Sequence, residues 1–229
     1  LKKIKPNLSL KLIIGCSLTL LVVLFISFFV IAKRQERLIM GQVENEARAI
    51  FKQIVITRRW IADHGGIFVE RLPWVKPSPY LASPEITDIH GKQYVRETPA
   101  MVTKELAKYA KDRELYWFHI TSLKLTNPEN TPDAFEKNAL MQFEKTGAQE
   151  MMSIETISRS RYLRYISPLY VEDACLQCHA HQGYKRGDVR GAISVTIPVD
   201  KTLADISANR KSMLVAALIA VLALGTALL

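Results

Sequence analysis

The stretch YLRYISPLYVEDACLQCHAHQGYKRGDVRGAISVTIPV occupies residues 162–199. It opens on a run of aromatic and aliphatic residues, Tyr162–Val171, and closes on Gly191–Val199, where apolar and polar residues alternate. Both runs are predicted strands, because such side chains at a period of two suit a pleated surface. Glu150–Ile157 and the aromatic, β-branched Leu115–Leu125 predict two more. Between these, Pro132–Lys145 predicts a helix ended by Gly147, and Pro99–Lys111 a helix with proline at its first position. The run NPENTPDAFE (127–136) reads as a turn and a helix start, a structural role. Strands and helices alternate without a regular βαβ rhythm, so the fold class is α+β. Further out, Ile39, Val43, Ala47, Ile50, Ile54 and Ile61 keep a three-to-four spacing across Gln35–His64, which predicts a helix. Gly65-Gly66 ends it through a left-handed exit. Four prolines between Leu72 and Pro84 mark a loop, and a helix resumes near Lys201.

The ends of the chain have a different composition. Leu10–Ile31 holds 22 residues with one charge, Lys11, and Met213–Leu229 holds 17 with none. At about 1.5 Å per residue the first reaches roughly 33 Å and the second about 26 Å, against a hydrocarbon core of about 30 Å. The first exceeds the usual apolar core of a signal peptide, so it is expected to be an uncleaved anchor. All 22 acidic residues lie between the two segments. The expected organisation is a cytoplasmic tail at 1–9, a transmembrane helix at 10–32, a domain at 33–212 and a second transmembrane helix at 213–229, expected to be truncated. Within the domain, the first helix runs over 35–64 and the last over 201–212. Lys2, Lys3, Lys5 and Lys11 supply four of the nine net positive charges; the other 27 basic residues are interleaved with the 22 acidic ones, which describes a solvated surface better than a nucleic-acid stripe.

Chemistry concentrates in Cys175-Leu176-Gln177-Cys178-His179. This C-x-x-C-H spacing is the attachment sequence of c-type haem. Two thiols one helical turn apart can each add to one vinyl group of a porphyrin, and the adjacent histidine then lies under the iron. A thioredoxin-like pair would need a βαβ setting, and a zinc site two further ligands, neither of which the sequence offers. Cys16 lies in the apolar segment as a small filler. One covalently bound haem c is therefore expected, held by Cys175 and Cys178 with His179 as proximal ligand. Its attachment occurs outside the bacterial cytoplasm, which places the domain in the periplasm and the anchors in the inner membrane.

RRWIADHGGIFV (58–69), HITSLKLTNPENTPDAFE (119–136) and RYISPLYVEDACLQCHAHQGYKRGDVRGAIS (164–194) together resemble the PAS-like c-type haem domains. These are extracytoplasmic sensor modules of bacterial histidine kinases and chemoreceptors, and small stand-alone proteins of cyanobacteria. The resemblance covers most of residues 45–200 and implies a PAS-like antiparallel sheet with flanking helices and one haem. The cyanobacterial relatives use a cysteine from the N-terminal helical region as second axial ligand. This sequence has none there, so the sixth position falls to His64, at a helix end before a glycine pair, with Met101 and His119 as alternatives. His119 alternates with apolar neighbours and also reads as a core histidine bonded to a backbone group, and Met101 as packing. His181 is too close to His179 to reach the opposite haem face, and His90 sits in a polar turn. Arg58, Arg59, Arg161, Arg164, Lys185 and Arg190 are candidates for haem propionate contacts. Trp60, Trp117, Tyr162 and Tyr165 are candidates for lining the haem or the core.

A haem domain between two spans suits a sensor of redox state or of a diatomic gas such as NO, CO or O₂, signalling through its helices. The alternative is a membrane-anchored c-type cytochrome for electron transfer, as a subunit of a larger membrane complex. No paired acid–base groups surround the motif, so an enzyme is not expected, and any catalytic output is expected beyond Leu229 or in a partner. Expected partners are the membrane, a second copy or a membrane complex, and a gas or redox partner, with no nucleic acid.

Overall fold

A computed structural model describes residues 8–81, 83–173, 175–176 and 182–227. It divides into two compact units, one formed by residues up to Gln42 with those from Asp200 onward, the other by Val43–Val199. Helix α1 (Leu8–Asp63) has residues in both. Helix α4 (Asp200–Ala227) closes the chain. In the first unit the two helices carry mean hydropathies of 2.6 and 1.5 over their most apolar windows, and both are long and apolar enough to cross a membrane. Beside that apolar stretch the Asn209 side-chain amide donates to Gln35 Oε1.

The second unit is α+β. After α1 come β1 (Ile67–Glu70), β2 (Glu85–Thr87) and β3 (Gln93–Glu97), which pair antiparallel in the order β1-β3-β2. No pattern in the sequence marks these three strands. Strands of three to five residues beside glycines and prolines fall below what a period can show, and the long-range pairing Phe68↔Arg96 is what makes them a sheet. Helix α2 (Pro99–Asp112) starts where expected: the Thr98 side chain accepts from the Met101 amide, and Pro99 fills a position whose amide would have no helical partner. Strand β4 (Trp117–Thr121) is shorter than its aromatic surroundings predicted. A 3₁₀ turn at Pro128–Asn130 leads to α3 (Ala134–Thr146), which Gly147 ends. Its start is a reciprocal capping box between Asp133 and Glu136.

The main sheet follows from β5 (Met151–Ile157), β6 (Ser160–Tyr170) and β7 (Val189–Pro198), antiparallel in the order β4-β7-β6-β5. Register decides its two faces. His119, Ser194 and Ile166 lie in one row, and Phe118, Val195 and Tyr165 in the next. Opposite residues of a ladder share a face, and successive residues alternate. The face with Ile166 and Ala192 packs on Ala139, Leu140 and Phe143 of α3. The other face meets α1, where Phe51 lies edge-on to Tyr165 at 5.8 Å and Ala47, Ile54 and Ile61 are buried. The strand expected at Gly191–Val199 from its alternation is the core of β7. Gly191–Ile197 is buried throughout, since β7 is an inner strand between β4 and β6 and α3 packs on it. Gly191 is needed where β4 crosses it, since a Cβ there would stand 2.3 Å from the Thr121 carbonyl oxygen.

Candidate functional site

Cys175 is the only residue of the attachment pair among the described residues; Cys178, His179 and His181 lie outside them. Its amide donates to Glu172 O at 2.9 Å, and the Glu172 amide donates to its Sγ at 3.5 Å, so a tight turn presents the partly buried thiol. Arg59, in the last turns of α1, reaches Asp63 at 3.0 Å and also pairs with Glu172. That pair ties the end of α1 to the start of the cysteine loop.

Arg58 differs from Arg59 and Arg164, which acids engage. Its Nη1 donates to Pro99 O at 3.3 Å and Thr103 Oγ1 at 3.2 Å, and no carboxylate pairs with it among the described residues. Burial pushes its pKa down to about 10, with Cys175 opposing that shift and Arg190 adding to it. A guanidinium drawn partly out of water with only neutral partners gains from an anion that completes it. The carboxylates of a haem held at Cys175 would do so, so the residues present fit the group.

His64 stands just after α1. Its Nδ1 lies 2.7 Å from Trp60 O, and its ring stacks on the Trp60 indole with centroids 4.4 Å apart. Gly65 and Gly66 follow at φ 72° and 102°. Gly66 could not be replaced without strain, since a Cβ would meet the Glu97 carbonyl oxygen at 2.9 Å. Arg96 donates to Gly65 O at 2.6 and 3.2 Å and clamps the turn. Met101 is partly buried in the first turn of α2, two residues from both groups that hold Arg58 and so on another side of that helix.

The remaining candidates lie elsewhere. His119 is on the α3 face of the sheet, opposite the face that meets α1. Its Nδ1 sits 3.0 and 3.1 Å from the Glu136 carboxylate, so its partner is a buried acid and not the expected backbone group. Arg164, proposed for a propionate, shares that face and is surrounded by Asp133 at 2.8 Å, Glu155 at 3.2 Å and Glu136 at 3.3 Å. Three carboxylates therefore already engage its single positive charge. Arg59 is likewise engaged by two acids. Arg190 donates to Ser122 Oγ at 2.9 Å and lies over the Tyr184 ring at 5.1 Å, while Lys185 is exposed. Trp117 and Tyr162 meet edge-on on the α3 face, so of the four aromatic candidates only Trp60 touches His64. His90 is exposed in its turn.

Two acids escaped the sequence reading. Glu136 lies in the run expected only to form a turn and a helix start, yet it is 2% exposed and also accepts from Ser194 Oγ at 2.6 Å. Glu97 is 3% exposed, and its Oε2 has no hydrogen-bond partner among the described residues. No local signal marks it, since its burial comes from packing remote in sequence.

The crystal structure of the cyanobacterial heme-protein Tll0287 is similar to 69% of this chain and 95% of its own, at 20% sequence identity and a TM-score of 0.45. No curated protein matches the chain. The Tll0287-like family model matches residues 34–198, from the middle of α1 to the last residue of β7. This chain belongs to the Tll0287-like family.

Proposed function

We propose that the chain is a membrane-anchored haem c domain that reports redox state or a diatomic gas through its two long helices. Arg58 carries this reading: a half-buried guanidinium, paired with no carboxylate among the described residues, lies close to the one described cysteine of a C-x-x-C-H sequence. Cys175 and Cys178 would each add S–H across a vinyl group, forming a thioether and placing the proton on the adjacent carbon. His179 would ligate the iron on one side and His64 on the other. When bound, the haem supplies one-electron chemistry and an axial position for which a diatomic gas can compete. The chain's own residues do the rest: Arg58 holds an anion, Arg59 joins α1 to the cysteine loop through Glu172, and the glycine pair brings His64 to the end of α1. Thioether attachment takes place outside the bacterial cytoplasm, so the domain belongs in the periplasm and the two apolar helices in the inner membrane. No catalytic step is proposed for it.

Haem staining of a denaturing gel should give a band at the chain's mass, lost when Cys175 and Cys178 are both replaced by alanine. Reduced-minus-oxidised spectra of the full chain in lipid should change on addition of NO or CO. A persistent stained band in the double variant overturns covalent attachment. A haem protein inert to both gases, whose helices do not respond to reduction, is an electron carrier and not a sensor.

A further inference from the structure

We infer that Trp60 is a positioning residue for His64, its indole holding the imidazole so that Nε2 faces the iron. This rests on the haem reading above. His64 Nδ1 lies 2.7 Å from Trp60 O. A carbonyl oxygen can only accept, so Nδ1 carries the hydrogen and the lone pair is left on Nε2. Metal-binding histidines are held this way, with the nitrogen away from the metal donating to a carbonyl or carboxylate. The tautomer alone does not fix the ring, because an exposed imidazole at a helix end can still rotate. The indole supplies that restraint, with centroids 4.4 Å apart and planes inclined by 34°. Trp60 is 55% exposed, so its own burial explains little of its position, and the imidazole is the ring it stacks on. Beyond His64, the clamp of Arg96 on Gly65 O holds the backbone exit. Tautomer, ring plane and backbone are thus restrained around one imidazole.

An aromatic stack of this kind changes an equilibrium by about two- to tenfold. Trp60→Ala leaves the carbonyl in place and removes only the stack. The dithionite-reduced full chain in lipid is titrated with CO, which competes with His64 for the iron, alongside Trp60→Ala, Trp60→Phe, Trp60→Leu and His64→Ala. The expected result has four parts. His64→Ala becomes high-spin. Trp60→Ala stays low-spin but binds CO about two- to tenfold more tightly. Trp60→Phe restores the parent affinity to within about twofold. Trp60→Leu, which has bulk but no π-face, follows Trp60→Ala. If His64→Ala is high-spin while Trp60→Ala binds CO like the parent, the role of Trp60 is overturned and the ligand stands. If His64→Ala keeps the parent's low-spin spectrum, the ligand assignment fails and the positioning role fails with it.

Discussion

An arginine needs a counter-charge when it leaves water, and Arg58 has two neutral oxygens instead. Replacing it with methionine in the haem-free Cys175→Ala/Cys178→Ala chain removes a half-buried charge and keeps the volume. That variant should be more stable by about 1–3 kcal/mol in chemical denaturation. In the haem-loaded chain the same change should lower the reduction potential, because a nearby positive charge favours the reduced haem. Destabilisation of the haem-free form would show that Pro99 O and Thr103 already satisfy the guanidinium. Glu97 is the acidic counterpart. Burial, with a smaller contribution from Glu105, pushes its pKa up to about 7. A carboxyl raised in the folded state binds protons that the unfolded chain has released, so stability falls as pH rises from the ordinary glutamate range to about 7 and is level above. Glu97→Gln should therefore match the parent near pH 4, melt progressively higher than it up to pH 7, and keep a constant advantage beyond. Parallel melting curves for the two proteins across that range would show that Glu97 ionises freely.

At the scale of elements, α3 is joined to the sheet by charge as well as by apolar packing. Glu136 caps the helix, receives His119 and Ser194 from β4 and β7, and faces Arg164 of β6. Removing one partner leaves a buried charge without compensation, which costs about 3–5 kcal/mol. Arg164→Met should lower stability by that order, and Arg164→Met with Glu136→Gln by less than the sum of the single changes, in a double-mutant cycle. Additive losses would mean that the two side chains do not act together. Burial raises the Asp133 pKa, but the Glu136 amide and Arg164 outweigh it and leave it below the usual aspartate range. Its contribution is therefore present above the ordinary aspartate pKa and lost as pH falls through the depressed value. Without Arg164, acid unfolding should begin at a higher pH.

At the scale of the whole molecule, α1 is one continuous helix from Leu8 to Asp63, and His64 follows its last residue. In the proposed sensor, loss of the His64 bond would free that end of α1, and the change would be read near the membrane. Reversing a two-state equilibrium from 1:99 to 99:1 takes about 5.5 kcal/mol of differential stabilisation. Spin labels at Arg37→Cys and Ser207→Cys flank the contact between Gln35 and Asn209. Their distance distribution should shift by a few ångströms between oxidised, reduced and NO-bound protein in lipid. A constant distribution in all three states would leave electron transfer as the function.

Much of this protein is legible from local pattern. Three-to-four periodicity marks the part of α1 that enters the domain, Pro99 marks a helix start, Gly147 a helix end, and Gly65-Gly66 an exit that carries positive φ as expected. The C-x-x-C-H chemistry is local too, since five consecutive residues contain it. Sequence alone cannot rank arginines by their counter-charges, because those partners are far apart along the chain. Arg58 is held from 41 and 45 residues away, and Arg164 meets Glu136 across 28. Likewise His119 and Tyr165 differ only in which side of a strand they occupy, and register decides which helix each one faces. Covalent spacing and periodicity are properties of neighbouring residues. Burial, charge compensation and face are properties of what the folded chain brings alongside, and tertiary structure alone decided them.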